Sequence, residues 1–321
     1  MVAENIQTES HKHAALLDGA VVAEKIKQEV KAEIQRMNEQ LHVQPGLAAV
    51  RVGDDPASAV YVKNKIRACE EVRIRSEHHA LAESTTQDEL LTLIETLNSR
   101  DDIDGILVQL PLPKGIDETQ IIEAVSPDKD VDGFHPVNVG KLAMGRQSFV
   151  PCTPAGIIEL LDYHAIEMRG AASCVVGRSQ IVGRPMAQLL LQRDATVTIC
   201  HSRTKDLAAV TREADLLIVA IGRAGMIGKE HIKPGATVID VGMNKLTEAS
   251  EVHALFGPEA EPRLNVLAKR GYTLVGDVNP FEADQLAGKR TPVPGGVGLL
   301  TVAMLMKNTL MAAKLRLRDE G

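Results

Sequence analysis

The stretch Val-Gly-Arg-Ser-Gln-Ile-Val-Gly-Arg-Pro at residues 176–185 constrains the fold of this 321-residue chain more than any other segment. An apolar run suited to a β-strand, residues 173–176, precedes it, and a helix-like segment, residues 185–193, follows it. A glycine turn between a strand and a helix N-terminus exposes backbone N–H groups and the positive end of the helix dipole, which attract phosphate. The segment therefore predicts a nucleotide-binding loop in an α/β domain, although an ordinary β–α loop would look similar.

The glycines of this turn depart from the usual dinucleotide-binding pattern. Gly177 and Gly183 stand six residues apart, whereas the common motif is Gly-x-Gly-x-x-Gly. A β-rich run at residues 195–200 ends roughly twenty residues after the turn, which is the spacing of a mononucleotide-binding βαβ unit. Together these observations predict a Rossmann-type unit with an unusual phosphate turn.

Residues 201–203 indicate which nucleotide the unit binds. NAD sites usually carry Asp or Glu at this point to bind the ribose hydroxyl, but this chain has His-Ser-Arg. No carboxylate would repel a 2′-phosphate, and Ser202, Arg203 and Arg178 could bind one. The sequence therefore favours NADP over NAD, with a solvated loop cation as the alternative role for Arg203.

The composition argues against nucleic-acid and membrane partners. The net charge is −7 and aromatic residues are 2% of the chain, whereas nucleic-acid-binding surfaces are basic and often aromatic. No run approaches the roughly 18 uninterrupted apolar residues of a membrane span, and the polar residues 1–12 are expected to form a frayed tail rather than a secretory signal. The four cysteines have no metal-ligand spacing, so we expect no metal and a reducing cytoplasm. They are Cys69, Cys152, Cys174 and Cys200.

The length of the chain and its alternating elements predict two α/β domains with parallel sheets. We expect residues 1–150 with 296–321 to form the first domain and residues 151–295 to form the second. Predicted elements of the first are helices at 16–37, 58–72 and 88–99 and strands at 46–52 and 103–110. The second is predicted to have a helix at 155–163 and strands at 173–176, 196–200, 216–220, 237–241 and 273–275. A last amphipathic helix at 300–314 is expected to return to the first domain.

Several polar residues outside the nucleotide unit could carry chemistry. Tyr61 and Lys65 are four residues apart on a predicted helix, so their side chains share a face. A desolvated lysine loses its proton more readily, although a surface lysine beside a half-buried tyrosine is the common alternative. The same pair occurs in short-chain dehydrogenases, but there it follows the cofactor turn, whereas here it precedes that turn.

Three further segments stand where a ligand could approach. Gln109 closes a predicted strand, and strand C-termini are the usual edge for active-site groups. Asp130 and Asp132 flank a turn, where a carboxylate either caps the backbone or anchors a ligand with N–H donors. Residues 292–298, with three glycines in four positions, would let a ligand approach the backbone closely.

Taken in order, these motifs resemble one family. The segments are Ser-x-x-Tyr-x-x-x-Lys at 58–65, Val-Gln-Leu-Pro-Leu-Pro at 108–113, Lys-Asp-Val-Asp-Gly at 129–133, the turn at 177–185, Asp-Val-Gly at 240–242 and Pro-Val-Pro-Gly-Gly-Val-Gly at 292–298. The chain resembles the bifunctional methylenetetrahydrofolate dehydrogenase/methenyltetrahydrofolate cyclohydrolase family over nearly all of residues 17–310. The resemblance implies NADP-dependent oxidation of 5,10-methylenetetrahydrofolate to the methenyl form, followed by hydrolysis to 10-formyltetrahydrofolate.

The resemblance also implies roles for individual residues. Tyr61 would stack on the folate, and Lys65 would polarise the one-carbon centre or exchange protons with it. Gln109 would hold and tune Lys65, and Asp132 would bind the pterin edge. Further substrate contacts would come from Val108, Leu110, Pro294, Gly295, Gly296, Val297 and Gly298. NADP contacts would come from Gly177, Arg178, Ser179, Ile181, Gly183, Ser202, Arg203 and Met243.

A homodimer is expected from the resemblance alone. Two departures from the family pattern stand out: residues 244–270 form a longer, polar stretch, and Leu299 with Leu300 replaces a common Pro-Met. The longer stretch is either a surface insertion or an element that alters the NADP contacts or the dimer surface. Two other functions stay open at this point, a dehydrogenase without cyclohydrolase activity and a non-catalytic nucleotide sensor.

Overall fold

The computed structural model describes residues 13–319, so the tail predicted over residues 1–12 lies outside the described residues. The strands are β1 Ala15–Leu16, β2 Gly46–Val52, β3 Arg75–Leu81, β4 Gly105–Val108, β5 Ala172–Val176, β6 Thr196–Cys200, β7 Leu216–Val219, β8 Thr237–Asp240, β9 Asn244–Leu246, β10 Thr273–Val275 and β11 Lys289–Arg290. The α-helices are α1 Gly19–Leu41, α2 Pro56–Val72, α3 Gln87–Asn98, α4 Glu118–Ala124, α5 Pro136–Ala143, α6 Cys152–Tyr163, α7 Gly183–Gln192, α8 Leu207–Thr211, α9 Ala249–Phe256, α10 Glu261–Arg270, α11 Pro280–Leu286 and α12 Val297–Asp319. Short 3₁₀ turns occur at Lys229–His231 and Gly257–Glu259.

Two parallel sheets carry the two α/β units. The first unit has a three-stranded sheet in the order β3-β2-β4, and the second has a six-stranded sheet in the order β1-β11-β8-β7-β5-β6. Helices alternate with the strands in both units, which satisfies the crossover that parallel neighbours require. The predicted fold class, two α/β units with a Rossmann-type second unit, is confirmed.

Local sequence explains where the helices of the first unit begin. The Asp18 side chain accepts a hydrogen bond from the Ala20 N–H at 2.8 Å and caps α1. Thr86 and Glu89 form a capping box at the start of α3, so two backbone donors that would otherwise lack partners are satisfied. Apolar residues at helical spacing then bury one face of each helix.

The C-terminal helix α12 returns to the first unit, as predicted, where it packs against α1 and α2, and it also packs against α6 of the second. Among the described helices, it alone has the length and apolar composition of a membrane span. Of its most apolar stretch, 61% is buried inside the molecule, which is the behaviour of a core helix. Its buried residues join those of α1 and α6 in one hydrophobic cluster.

Five strands differ from the prediction, because β1, β3, β9 and β11 were not predicted and β10 lies in another sheet. β3 was not predicted because its sequence, Arg-Ser-Glu-His-His-Ala-Leu, has no apolar run; it is stabilised as an edge strand by seven residue pairs with β2. β10 was predicted in the second sheet, but it pairs antiparallel with β9 in a separate two-stranded sheet. β1, which the sequence places in the first domain, joins the second sheet beside β11, and two-residue strands carry no periodicity to reveal this.

The long stretch at residues 244–270 is more regular than a polar surface loop. It contains β9, α9 and α10. Together with β10 it buries its own apolar cluster, made of Leu246, Val252, Phe256, Ala260 and Val275. The segment is therefore a small folded layer added beside the second sheet.

Candidate active site

The first half of the site is a buried lysine held by a neutral amide. Lys65 lies one turn after Tyr61 on α2, is 9% exposed, and donates from Nζ to Gln109 Oε1 at 3.1 Å. Gln109 follows β4, where its backbone N–H donates to Val50 O at 2.8 Å. Its side-chain Nε2 donates to Leu110 O at 2.7 Å, which turns Oε1 toward the lysine. The contact expected between Lys65 and Gln109 is therefore present.

The structure separates the roles of the two carboxylates at residues 130–132. Asp130 is buried and accepts hydrogen bonds from Phe134 N, His135 N and Asn138 Nδ2 at 3.1, 2.8 and 2.9 Å. It orders the turn. The Asp132 carboxylate accepts no hydrogen bond from the part of the protein that the structure describes. Burial raises the pKa of Asp132 to about 6, against the opposing charge of Lys65.

Sequence reasoning missed Asn308, which supports this turn from the far end of the chain. Asn308 lies on α12, is 6% exposed, and donates from Nδ2 to Val131 O at 2.8 Å and to Val150 O at 3.1 Å. The amide thus fixes the backbone immediately before Asp132. No local signal could have identified it. A polar residue inside an apolar helix predicts at most that the side chain is buried, and it does not indicate which group the side chain bonds to.

Met243 of the second unit contacts α2 of the first unit. Tyr61 Oη donates to Met243 Sδ at 3.0 Å, and the two side chains are 42% exposed. Met243 follows β8. A Cβ added to Gly298 would lie 3.1 Å from Met243 Cε. Tyr61, Met243 and Gly298, at the end of the loop at residues 292–298, therefore lie together where the two units meet.

The loop at residues 292–298 is tied to both units. Thr291 Oγ1, just before it, accepts from the backbone N–H of Asp240 at 2.8 Å. Gly295, at φ +106°, accepts at its carbonyl from Gly19 N at 3.2 Å. A Cβ on Gly19 would lie 1.9 Å from Gly296 O, so α1 begins against the loop and only glycine permits that approach.

The nucleotide turn depends on its two glycines. Gly177 has φ +131°, and a Cβ there would lie 2.2 Å from Ala220 O. A Cβ on Gly183 would lie 2.2 Å from Gly177 O. The helix begins at Gly183 rather than at Pro185, so the proline occupies the third helical position. It is tolerated there because the first-turn N–H groups have no intrahelical partner.

The same turn fits a phosphate group. The Ser179 hydroxyl accepts from Val182 N and Gly183 N at 3.1 and 3.3 Å and closes the turn. Over the residues that the structure describes, the backbone N–H groups of residues 178–181 donate to no protein acceptor. Free donors beside a helix N-terminus, in a cradle that a side chain would fill, are the features that bind a pyrophosphate.

The neighbouring strand presents the residues predicted for the 2′-phosphate. β5 and β6 pair in parallel with Val176 opposite Cys200, so the chain after each leaves the same sheet edge. Ser202 and Arg203 are exposed there. Arg203 N donates to His201 Nδ1 at 3.1 Å and orders the loop. Within residues 13–319, the Arg203 guanidinium forms no ion pair, so its charge is free for an anion.

Comparison with known proteins identifies the family. Residues 17–132 match the catalytic domain of the tetrahydrofolate dehydrogenase/cyclohydrolase family, and residues 151–317 match its NAD(P)-binding domain. The bifunctional protein FolD of Koribacter versatilis is 55% identical over 303 residues, which cover 94% of this chain and 98% of that relative.

Solved structures agree with the family assignment. The bifunctional FolD enzyme of Campylobacter jejuni is 44% identical with a TM-score of 0.85, covering 94% of this chain and 99% of that one. The Trypanosoma brucei dehydrogenase-cyclohydrolase, solved with NADP and an inhibitor, is 37% identical with a TM-score of 0.85, covering 95% of this chain and 99% of that one. The chain belongs to the tetrahydrofolate dehydrogenase/cyclohydrolase family and is an NADP-dependent methylenetetrahydrofolate dehydrogenase and methenyltetrahydrofolate cyclohydrolase of folate one-carbon metabolism.

Proposed function

We propose that both reactions take place at one centre formed by Lys65, Tyr61, Gln109 and Asp132. The observation that carries this proposal is the 3.1 Å hydrogen bond from the buried Lys65 to Gln109, with the Asp132 carboxylate free beside it. Tyr61 supplies a flat, half-exposed ring beside Met243, where the two units meet. This set offers one cation, one carboxylate and one stacking surface to a heterocycle.

The chemistry of the two steps explains why these residue types suit them. NADP, when bound, accepts a hydride from the methylene carbon of the folate. The methenyl carbon that remains is cationic, and water must then attack it. A lysine near that carbon is best held by a neutral partner, since Gln109 orients Nζ without adding charge. Asp132 would accept from the N–H donors of the pterin, which fixes the one-carbon centre against Lys65.

The remaining substrate contacts would come from two segments near this centre. We assign them to Val108 at the end of β4 and Leu110 just after it, to Pro294, Gly295 and Gly296 before α12, and to Val297 and Gly298 in its first turn. The support is the position of the second segment, which meets α1 at Gly295 and Met243 at Gly298. In the same way, Gly177, Arg178, Ser179, Ile181 and Gly183 would hold the pyrophosphate of NADP. Ser202 and Arg203 would hold its 2′-phosphate, and Met243 would flank its nicotinamide.

Replacement of the lysine tests the catalytic assignment. We expect Lys65→Met to abolish hydrolysis of methenyltetrahydrofolate, measured without NADP by the loss of methenyl absorbance. Lys63→Met is the matched control, because Lys63 is exposed on the same helix, and it should retain wild-type hydrolysis. Circular dichroism would establish that both variants are folded. Hydrolysis near the wild-type rate by a folded Lys65→Met protein would overturn the assignment.

We further propose that the protein is a cytoplasmic homodimer without membrane or nucleic-acid partners, divided into a folate domain (residues 1–150 with 296–321) and an NADP domain (residues 151–295). The four cysteines are buried and free of disulfides, which suits a reducing compartment. β6 is an edge strand of the second sheet, and its Ile199 is 43% exposed. An unpaired edge with an exposed apolar side chain is a surface on which a second copy could pair.

A further inference from the structure

The folded layer at residues 244–270 reaches the substrate-binding loop through one side chain. Arg263 lies on α10, and its Nη2 donates to Val293 O at 2.7 Å. Its Nη1 also lies 3.5 Å from Leu274 O on β10. One guanidinium thus joins the layer to the loop at residues 292–298. We propose that Arg263 is a positioning residue, which holds this loop in the conformation that binds folate.

The environment of Arg263 sets it apart from an ordinary surface arginine. The side chain is half-buried, and its guanidinium lies 5.0 Å from the centre of the Phe256 ring. Burial, with a smaller contribution from the charge of Arg290, lowers the pKa of Arg263. Throughout residues 13–319, no carboxylate forms an ion pair with it. A charged donor withdrawn from water and given only carbonyl acceptors makes strong hydrogen bonds to them.

The carbonyl of Val293 needs a hydrogen-bond donor from outside the loop at residues 292–298. Pro292 and Pro294 have no N–H groups, so they add no backbone donors of their own. The flanking residues are held elsewhere, Thr291 by β8 and Gly295 by α1. The carbonyl of Val293 lies between these two anchors, and Arg263 is its partner.

Packing alone gives the loop little support on the side of the layer. A cavity of about 490 Å³ lies there, and Phe256, Pro262, Arg263, Pro292 and Val293 are among the residues that line it. Side chains around such a space have fewer contacts across it than in a filled core. The hydrogen bond from Arg263 therefore crosses a gap, and its loss would leave this part of the loop free to move.

The proposal rests on the proposed folate role of residues 292–298, and Arg263→Met tests it. A loosened loop must be ordered when folate binds, so the affinity falls while the chemical step keeps its groups. We expect the KM for methylenetetrahydrofolate to rise between about tenfold and about a hundredfold, the loss typical of a hydrogen bond from a charged donor. We expect kcat and the KM for NADP to stay within about twofold of the wild type. Arg263→Lys keeps a charged donor and should recover part of the lost affinity.

Two control variants separate the possible failures. Arg270→Met makes the same change at an exposed position of α10 and should leave every constant unchanged. Gly296→Ala tests the loop itself, because its added Cβ would lie 2.6 Å from the backbone oxygen of Pro292 and would displace the loop, and it should raise the folate KM independently of Arg263. An effect of Gly296→Ala without one of Arg263→Met would refute the positioning role alone. No effect of either would overturn the folate assignment of the loop as well.

A purely structural role for Arg263 would give a different pattern. Arg263→Met would then lower the melting temperature, kcat and the affinities for folate and NADP together. Arg263→Lys would not raise the folate affinity more than the other constants. That outcome would also refute the proposal.

Discussion

Replacement of Gly183 by alanine should separate the two activities of this enzyme. The added Cβ would lie 2.2 Å from Gly177 O, 2.6 Å from Gly177 C and 2.8 Å from Arg178 N. All three neighbours are backbone atoms, so no side chain can move aside to relieve the contact. The nucleotide turn itself must shift by about 1 Å to reach an ordinary van der Waals distance.

The size of the effect follows from the hydrogen bonds in the turn. A shift of that size breaks the two bonds from Val182 N and Gly183 N to Ser179 Oγ. Each such bond contributes about 0.5–1.5 kcal/mol, so restoring the turn around NADP would cost about 1–3 kcal/mol. We therefore expect the KM for NADP to rise between about fivefold and about a hundredfold. Hydrolysis of methenyltetrahydrofolate, which needs no NADP, should stay near the wild-type rate.

The assay follows NADPH formation at several NADP concentrations and, separately, methenyl hydrolysis in the absence of NADP. Gly140→Ala is the matched control. Gly140 lies inside α5 with nothing within 4 Å of an added Cβ, so alanine there should stabilise the helix slightly and leave both activities unchanged. An NADP KM within twofold of the wild type in a folded Gly183→Ala protein would refute the reasoning about this turn.

Two further predictions concern pH and assembly. Burial raises the pKa of Asp132 to about 6, so its carboxylate forms as the pH rises through that value, and kcat/KM for methylenetetrahydrofolate should rise over the same range. The Asp132→Asn enzyme should have a low kcat/KM at every pH. A wild-type pH profile in that variant would exclude a role for Asp132 in folate binding. Wild-type protein should elute at twice the 34.6 kDa mass of one chain, whereas Ile199→Lys on the β6 edge should elute as a monomer. A dimeric Ile199→Lys protein would place the interface elsewhere.

Sequence patterns predicted the elements whose signals are local. β2 was predicted with its observed bounds, Gly46–Val52, because an apolar run between turn residues identifies a buried strand. α3 was predicted within a residue at each end, since the acidic residues of its first turn mark its start. The paired glycines of the nucleotide turn, and the residues that replace an acidic ribose ligand, indicated NADP correctly.

Sheet membership was the part of the fold that the sequence could not supply. β3 is polar along most of its length and forms because β2 offers it a complete ladder of partners. β10 looks like its neighbours in the second unit, yet β9 pairs with it instead. Strand pairing depends on which distant strand lies alongside, and the pattern of residues within a short strand does not indicate its neighbour.

The sequence by itself determined the chemistry that this protein can perform, because the lysine, the carboxylate and the glycine turn are set by residue type and local spacing. Only the tertiary structure decided which of these groups meet. It placed Gln109 against Lys65, bonded Asp130 to the turn and left the Asp132 carboxylate without a hydrogen-bond partner among the described residues. It also brought Asn308 to the backbone before Asp132 and Arg263 to the carbonyl of Val293. Those contacts join residues far apart in the chain. A local sequence pattern can indicate one residue of such a pair, but only the packing of the chain brings its partner beside it.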